Sequence, residues 1–112
     1  MPQSLIDRTI FNALIESVGD DFIGELVQTF LEEAPLMLDE IQAAATAKEV
    51  DNLRRAAHSL KTNANTFGAT SLGELAKELE YMARENNLNI GDKLPVLRRI
   101  YEEAAEELKA LA

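Results

Sequence analysis

The chain of 112 residues contains a single histidine, His58, followed three residues later by Lys61. An exposed imidazole can act as a nucleophile toward an activated phosphoryl group, and a nearby ammonium can neutralise the charge of an anion. On a helical wheel of about 100° per residue, His58 lies roughly 140° from the centre of the surrounding apolar stripe and Lys61 about 80° from it. The sequence therefore predicts an outward-facing imidazole with a cation beside it.

The other polar residues of this segment surround His58 on the same wheel. Arg54 and Asn65 lie on the side of Lys61, at about 100° and about 120° from the stripe, and Arg55 lies beyond the histidine on the other side. The neighbouring residues are small, so a partner could approach closely; they are Ala57, Ser59 and Thr62. This arrangement favours a site for an anion. The alternatives are an ordinary surface histidine and a histidine bonded inside the core, and the wheel argues against the second.

The element that must position His58 is a predicted helix from Leu53 to Phe67. Its apolar residues recur at alternating intervals of four and three, which is typical of one face of a packed helix. They are Leu53, Ala57, Leu60, Ala64 and Phe67. Gly68 follows, and we expect it to end the helix in a left-handed conformation.

Similar periodicity predicts helices along the rest of the chain. We expect a short helix over residues 6–18, which ends at Gly19, and a long helix over residues 21–47 with Asp20 or Asp21 as its N-cap. Pro35 lies in the middle of the long helix and predicts a kink there or a break into two helices.

The two remaining helices are predicted from their start signals. Thr70 or Ser71 starts the fourth helix, because Ser71 and Glu74 have the spacing of a capping box. Asp92 is expected to cap the last helix, and Pro95 is tolerated in its first turn. Short connections favour antiparallel neighbours. The predicted fold is all-α, a single domain over residues 1–112, built as an antiparallel four-helix bundle with a short additional N-terminal helix.

Composition and charge exclude several classes of function. The net charge of −9 opposes binding to nucleic acid or to an anionic membrane surface, because both require a basic surface. The chain has no cysteine, so it lacks disulfides, thiolate catalysis and cysteine zinc sites. One histidine cannot build a multi-histidine metal site, and there is no Gly-rich phosphate loop or GxSxG elbow. We expect no metal, no cofactor of its own and no autonomous enzyme.

The run AHSLKTNANTFGATSLGELAKELE resembles the signature of the histidine-containing phosphotransfer (HPt) domain of two-component phosphorelays. The family pattern is a histidine, any residue, leucine, lysine and usually glycine, with a glycine or alanine further on. Here it reads His58, Ser59, Leu60, Lys61 and Thr62, with Gly68 and Ala69 downstream. Upstream, DDFIGELVQTFLEEAP is similar to the family's preceding helix. Thr62 departs from the pattern, because it stands where a glycine is usual.

The resemblance implies a phosphocarrier. His58 would accept a phosphoryl group on the ring nitrogen remote from the main chain, and Lys61 would neutralise the phosphoryl oxygens. On the fourth helix the matching positions are Glu80, which would orient the imidazole, and Arg84, which would pair with Glu80 or with phosphate. The alternative for that pair is an ordinary ion pair at i and i+4 spacing. Arg54, Arg55, Ser59, Thr62, Asn65 and Gly68 would surround the site and contact the partner.

The partners implied are receiver domains of response regulators or hybrid sensor histidine kinases. A receiver aspartate would donate or accept the phosphoryl group, and the receiver would bring its own Mg²⁺. The first helix would form part of the docking surface, or else a lid over one end of the bundle. We further expect a monomer in the cytoplasm, since the absence of cysteine fits a reducing cytosol. With no signal peptide and no apolar run near 18 residues, we expect no membrane span. The competing function is a non-catalytic interaction module that binds a receiver or kinase domain without carrying phosphate.

Overall fold

A computed structural model describes residues 5–112, which form five α helices and contain no strand. The helices are α1 (Arg8–Val18), α2 (Asp20–Ala47), α3 (Val50–Thr66), α4 (Thr70–Arg84) and α5 (Leu94–Leu111). Contacts across neighbouring helices run in opposite chain directions, as with His58–Glu80 and Asn65–Gly73 between α3 and α4. The predicted antiparallel four-helix bundle, α2 to α5, is confirmed, with α1 as the short additional helix.

The core is continuous through the bundle. The five residues of the predicted α3 stripe are all buried, which fixes the rotation of α3 about its axis. The stripe packs against α2 on one side and α4 on the other. Phe30 of α2 lies with its ring centroid 5.0 Å from that of Phe67 and 6.1 Å from that of Tyr101 in α5. The aromatic cluster therefore joins three helices at one end of the core.

Pro35 does not break α2, which continues as one helix of 28 residues from Asp20 to Ala47. Proline lacks the N–H that would bond to the carbonyl four residues earlier, which belongs to Leu31. The Tyr101 hydroxyl of α5 donates a hydrogen bond of 3.3 Å to that same carbonyl oxygen. A neighbouring helix thus supplies the donor that proline removes, and the predicted break is wrong.

The predicted caps are wrong at three helix starts, although α4 does begin at Thr70, as predicted. Gly19, with φ of 93°, serves as both the C-cap of α1 and the N-cap of α2, so Asp20 and Asp21 lie in the first turn of α2. Ala69 is the N-cap of α4, which places Ser71 inside the helix and leaves no capping box with Glu74. Lys93 is the N-cap of α5 in place of Asp92. None of these three N-cap residues forms a side-chain capping hydrogen bond.

Gly68 ends α3 with φ of 82°, as predicted, and has a second structural role. Its carbonyl oxygen accepts a hydrogen bond of 2.7 Å from the backbone N–H of Asp7, the N-cap of α1. A Cβ at this position would lie 2.7 Å from the Asp7 carbonyl oxygen. Glycine here lets the chain ahead of α1 pack directly against the α3–α4 connection.

Candidate functional site

His58 lies on the face of α3 opposite its buried stripe. Leu60 and Ala57 are fully buried, and because His58 follows Ala57 by one residue its side chain turns out of the core. The imidazole is 56% exposed. The outward orientation predicted from the wheel is therefore present in the structure.

Glu80 lies on the face of α4 that packs against α3. It is only 5% exposed and is the one buried charged residue among those the structure describes. Its neighbours along the buried face of α4 are alanines and leucines, namely Leu72, Ala76, Leu79 and Ala83. An ionised carboxylate in such a place requires partners that compensate for its lost hydration.

Both oxygens of the Glu80 carboxylate have partners on α3. The Nδ1 atom of His58 lies 2.8 Å from Oε2, and the Lys61 ammonium donates to Oε1 at 2.7 Å. The Arg84 guanidinium, one turn further along α4, lies 3.6 Å from Oε2. Spacings of three on α3 and four on α4 thus bring one imidazole, one carboxylate and two cations together between the helices.

These contacts set the ionisation of Glu80. Burial is the largest single influence, and by itself it would raise the pKa of the carboxyl. The hydrogen bonds from Lys61 and His58, followed by the charges of the same two residues, act in the opposite direction. Together they hold the pKa of Glu80 below its usual value, so the carboxylate is ionised at neutral pH.

An ionised Glu80 determines which imidazole nitrogen of His58 carries the proton. A carboxylate can only accept hydrogen bonds, so Nδ1 must be the N–H donor in the 2.8 Å contact. In the neutral imidazole the lone pair then belongs to Nε2. The ring nitrogen remote from the main chain thus keeps the free lone pair, in an imidazole that is more than half exposed.

A shallow cleft of about 120 Å³ adjoins Glu80 and is lined by Lys61, Lys77, Glu80, Tyr81 and Arg84. Three of these residues are cations and one is an anion, in a chain whose net charge is −9. Lys77 and Tyr81 are not among the site residues predicted from the sequence. The signal was present, since Lys77, Glu80 and Arg84 recur at intervals of three and four along α4, but that spacing is equally typical of an ordinary surface helix.

The arginines and small residues predicted around His58 do not belong to the group of side chains that contact Glu80. Arg55 lies toward α2, beside a depression lined by Glu40 and Asn52. Arg54 is half-buried and makes no ion pair within residues 5–112. Ser59 and Thr62 are exposed on α3, and their backbone carbonyls accept hydrogen bonds from the side chains of residues four positions later. Thr62 therefore leaves the helix intact where the family usually has glycine.

Asn65 and Gly68 lie outside the cluster around Glu80. Asn65 follows His58 by seven residues, which is about 10 Å along a helix, and its side chain lies over Gly73 of α4. Gly68 is buried against the backbone of Asp7, where it has no access to a partner. The prediction that Gly68 contacts a partner is wrong, because its surface is covered by the chain ahead of α1.

The residues that the structure describes contain no group of three or more histidine, cysteine or acidic side chains placed to hold a metal ion. Within the same residues no helix is both long and apolar enough to cross a membrane.

Comparisons with known proteins relate this chain to phosphorelay proteins. The phosphorelay protein LuxU of Vibrio vulnificus is 29% identical over 83 residues, which cover 74% of this chain and 72% of LuxU. Multistep phosphorelay regulator 1 of Schizosaccharomyces pombe is 27% identical over 81 residues, which cover 70% of this chain but only 28% of that regulator's length.

A solved structure extends the match to nearly the whole chain, and a family model covers most of it. The crystal structure of histidine-containing phosphotransfer protein B (HptB) from Pseudomonas aeruginosa PAO1 superposes with a TM-score of 0.88 and 27% identity, over 97% of this chain and 95% of that one. The family model for the Hpt domain matches residues 25–111. The helical bundle around His58 and Glu80 therefore belongs to the Hpt family of histidine phosphotransfer domains.

Proposed function

We propose that this chain carries a phosphoryl group on Nε2 of His58 between aspartates of receiver domains in a two-component phosphorelay. The observation that carries the proposal is the 2.8 Å contact between His58 Nδ1 and the buried Glu80 carboxylate. It directs the imidazole lone pair to Nε2 of a ring that is more than half exposed, where a receiver can present its aspartyl phosphate.

The transfer is a direct displacement at phosphorus. Nε2 of His58 attacks the phosphoryl group of the receiver's aspartyl phosphate; the new N–P bond forms as the P–O bond breaks, and the aspartate leaves as a carboxylate. The imidazole becomes positively charged as it forms the new bond, and the Glu80 carboxylate stabilises that charge through Nδ1–H. The same steps in reverse deliver the group to a second receiver.

Lys61 and Arg84 supply positive charge beside the reacting group. The Lys61 ammonium has three N–H donors, of which one bonds to Glu80, so the others are available to a phosphoryl oxygen. Arg84 is 64% exposed and lies 3.6 Å from Glu80, too far for a strong hydrogen bond. Its guanidinium can therefore turn toward phosphate at little cost.

The remaining parts of the proposal concern the setting of this reaction. The chain acts as a phosphocarrier without autonomous kinase activity, as a monomer in the cytoplasm, and the receiver supplies the Mg²⁺ that its own aspartate chemistry uses. Exposed Ser59 and Thr62 beside His58 allow the receiver's active site to approach the imidazole closely. Support for receivers as partners comes from the family and from the phosphorelay relatives.

The test is a phosphotransfer assay with a radiolabelled phospho-receiver and Mg²⁺. We expect acid-labile, alkali-stable label on the wild-type chain, no label on His58→Gln, and normal label on Lys109→Gln, a control at the exposed end of α5. Circular dichroism checks that all three retain their helix content. Full labelling of His58→Gln would exclude His58 as the carrier, and no label from a broad panel of receivers would favour the interaction module instead.

A further inference from the structure

The chain ahead of α1 is attached to the bundle through three consecutive residues. The backbone N–H of Leu5 donates a hydrogen bond of 3.0 Å to Oε1 of Glu107 in α5. Ile6 is 2% exposed and belongs to the hydrophobic core. The backbone N–H of Asp7 donates at 2.7 Å to the carbonyl oxygen of Gly68 in the α3–α4 connection. These three residues form a clamp that joins α5, the core and the α3–α4 connection.

The clamp holds the α3–α4 connection at the point where α4 begins. The Gly68 carbonyl oxygen accepts a second hydrogen bond of 2.8 Å from the N–H of Thr70, the first residue of α4. Ala69, the N-cap of α4, provides no capping side chain. The clamp therefore shares its acceptor with the start of α4, where a capping side chain is missing.

The contact between clamp and connection requires glycine at position 68. Gly68 has a φ of 82°, which side chains rarely adopt. A Cβ there would also lie 2.7 Å from the carbonyl oxygen of Asp7 and 3.3 Å from its backbone nitrogen. Any larger residue would therefore push the clamp away. The clamp lies outside residues 25–111, which the family model matches.

The α3–α4 connection sets the register between the two helices that carry the site. Asn65 and Gly73, which lie against each other, are each four residues from Ala69, and His58 and Glu80 are each eleven residues from it. Both contacts thus belong to one antiparallel register centred on the connection. A helix rises about 1.5 Å per residue, so a slip of one residue exceeds the tolerance of about 0.5 Å for a functional group.

From these observations we infer that the clamp fixes the α3–α4 connection and thereby keeps Glu80 in register with His58. Ile6 and Gly68 are then positioning residues, because they act through the carboxylate that orients the imidazole. The effect of the clamp on the transfer rate rests on the proposed phosphotransfer function, whereas its effect on the contact between His58 and Glu80 does not.

Two substitutions release the clamp in different ways. Gly68→Ala places a methyl group against the Asp7 carbonyl, and Ile6→Ala removes most of the side chain that anchors the clamp in the core. Gly19→Ala is the control for the first, because Gly19 also has a positive φ but its Cβ would meet nothing within 4 Å. Ile90→Ala is the control for the second, because Ile90 is a fully buried isoleucine between α4 and α5.

NMR of the free chain tests the register without any phosphotransfer. Imidazole nitrogen chemical shifts report which nitrogen of His58 carries the proton, and amide exchange of Asp7 reports whether the clamp is attached. In Gly68→Ala and Ile6→Ala we expect Asp7 to exchange about tenfold faster and His58 to become a mixture of Nδ1–H and Nε2–H forms. The wild type and both controls should keep the proton on Nδ1.

The transfer rate at saturating radiolabelled phospho-receiver is measured on the same variants. We expect Gly68→Ala and Ile6→Ala to be slower by about tenfold or more, because a misplacement of about 1 Å can cost up to about a hundredfold. The controls should stay within about twofold of the wild type. Circular dichroism checks that each variant is folded, and Ile6→Val with Ile90→Val replaces the alanine pair if either alanine variant unfolds.

Three results separate the possibilities. If Asp7 exchanged rapidly in Gly68→Ala and Ile6→Ala while the His58 proton stayed on Nδ1, the clamp would not set the register and the inference would be wrong. Equal changes in the matched controls would also overturn it, because they would reflect a general loss of stability. Absence of transfer by the wild type would remove the proposed function, and the nitrogen shifts would then decide by themselves whether the clamp sets the register.

Discussion

At the scale of single residues, the site depends on one buried carboxylate with two partners. Glu80 is shared between His58, which it orients, and Lys61, which compensates its charge. Neither partner alone occupies both oxygens. A glutamine could still accept a hydrogen bond from Nδ1 but would bring no charge, so the carboxylate and the amide should differ in stability as well as in transfer.

Glu80→Gln tests this at the residue scale. The folded-state pKa of Glu80 lies below its usual value of 4.5, so its ionisation stabilises the fold above that pH, and the stabilisation is lost as the pH falls through the folded pKa. We expect Glu80→Gln to lower the free energy of unfolding by about 1.5–3 kcal/mol at pH 7, as is typical of hydrogen bonds to charged groups. The difference between variant and wild type should shrink on acidification.

Urea unfolding between pH 7 and pH 3 measures that difference. Glu106→Gln is the control, because Glu106 is exposed and its ion pair with Lys109 on the same helix spans 3.5 Å. We expect a change of no more than a few tenths of a kcal/mol for it, with no comparable pH dependence. If the difference in unfolding free energy between Glu80→Gln and wild type grew on acidification, the pKa of Glu80 would not be lowered in the folded state.

At the scale of elements, the sequence predicts best which side chains of a helix are buried and which point outward. The α3 stripe is buried at every predicted position because its period requires it, and this alone turns His58 outward. The placement of Glu80 and Arg84 beside His58 came from family resemblance. A helical wheel gives the rotation of each helix but not the register between two helices, which here brings residue 80 opposite residues 58 and 61.

The errors at helix ends and at Pro35 have the same origin. Capping rules weigh side chains near the helix in sequence, whereas Gly19, Ala69 and Lys93 are N-caps without a side-chain hydrogen bond. The Tyr101 hydroxyl that reaches the Leu31 carbonyl comes from 70 residues away in the chain. Local patterns cannot reveal such a long-range donor.

Tyr101→Phe tests the role of that donor in keeping α2 continuous. Removing the hydroxyl leaves the Leu31 carbonyl without a donor, and we expect the free energy of unfolding to fall by about 1 kcal/mol. In a Pro35→Ala background residue 35 regains its N–H and can bond to the same carbonyl, so the second Tyr101→Phe should cost less. Urea unfolding of the four chains gives the coupling energy. If Tyr101→Phe lowered the free energy of unfolding equally in both backgrounds, the Tyr101 hydroxyl would not be compensating for the N–H that Pro35 lacks.

At the scale of the whole molecule, a small cationic surface must work within an acidic protein. Lys61, Lys77 and Arg84 gather around Glu80, while the chain carries a net charge of −9. On the proposed receiver partner two fields would therefore act. One is short-range attraction at the site, and the other, for an acidic receiver, is longer-range repulsion by the net charge of the chain. Salt separates them, because the Debye length falls from about 30 Å at 0.01 M to about 8 Å at 0.15 M.

The salt dependence of phosphotransfer shows which field governs docking. At a receiver concentration well below the KM, we expect the transfer rate to fall as ionic strength rises from 0.01 M to 0.5 M. The charges that face each other in the complex lie nearest together, so their attraction outweighs the repulsion between more distant charges. Arg84→Gln should be slower at low salt and show a flatter dependence, since it removes one of the three cations. Lys109→Gln, with the same change in net charge, should follow the wild type. A rate that rises with salt would mean that the net charge of −9 dominates the encounter, and the cations around Glu80 would then act only after docking, on the transferring phosphoryl group itself.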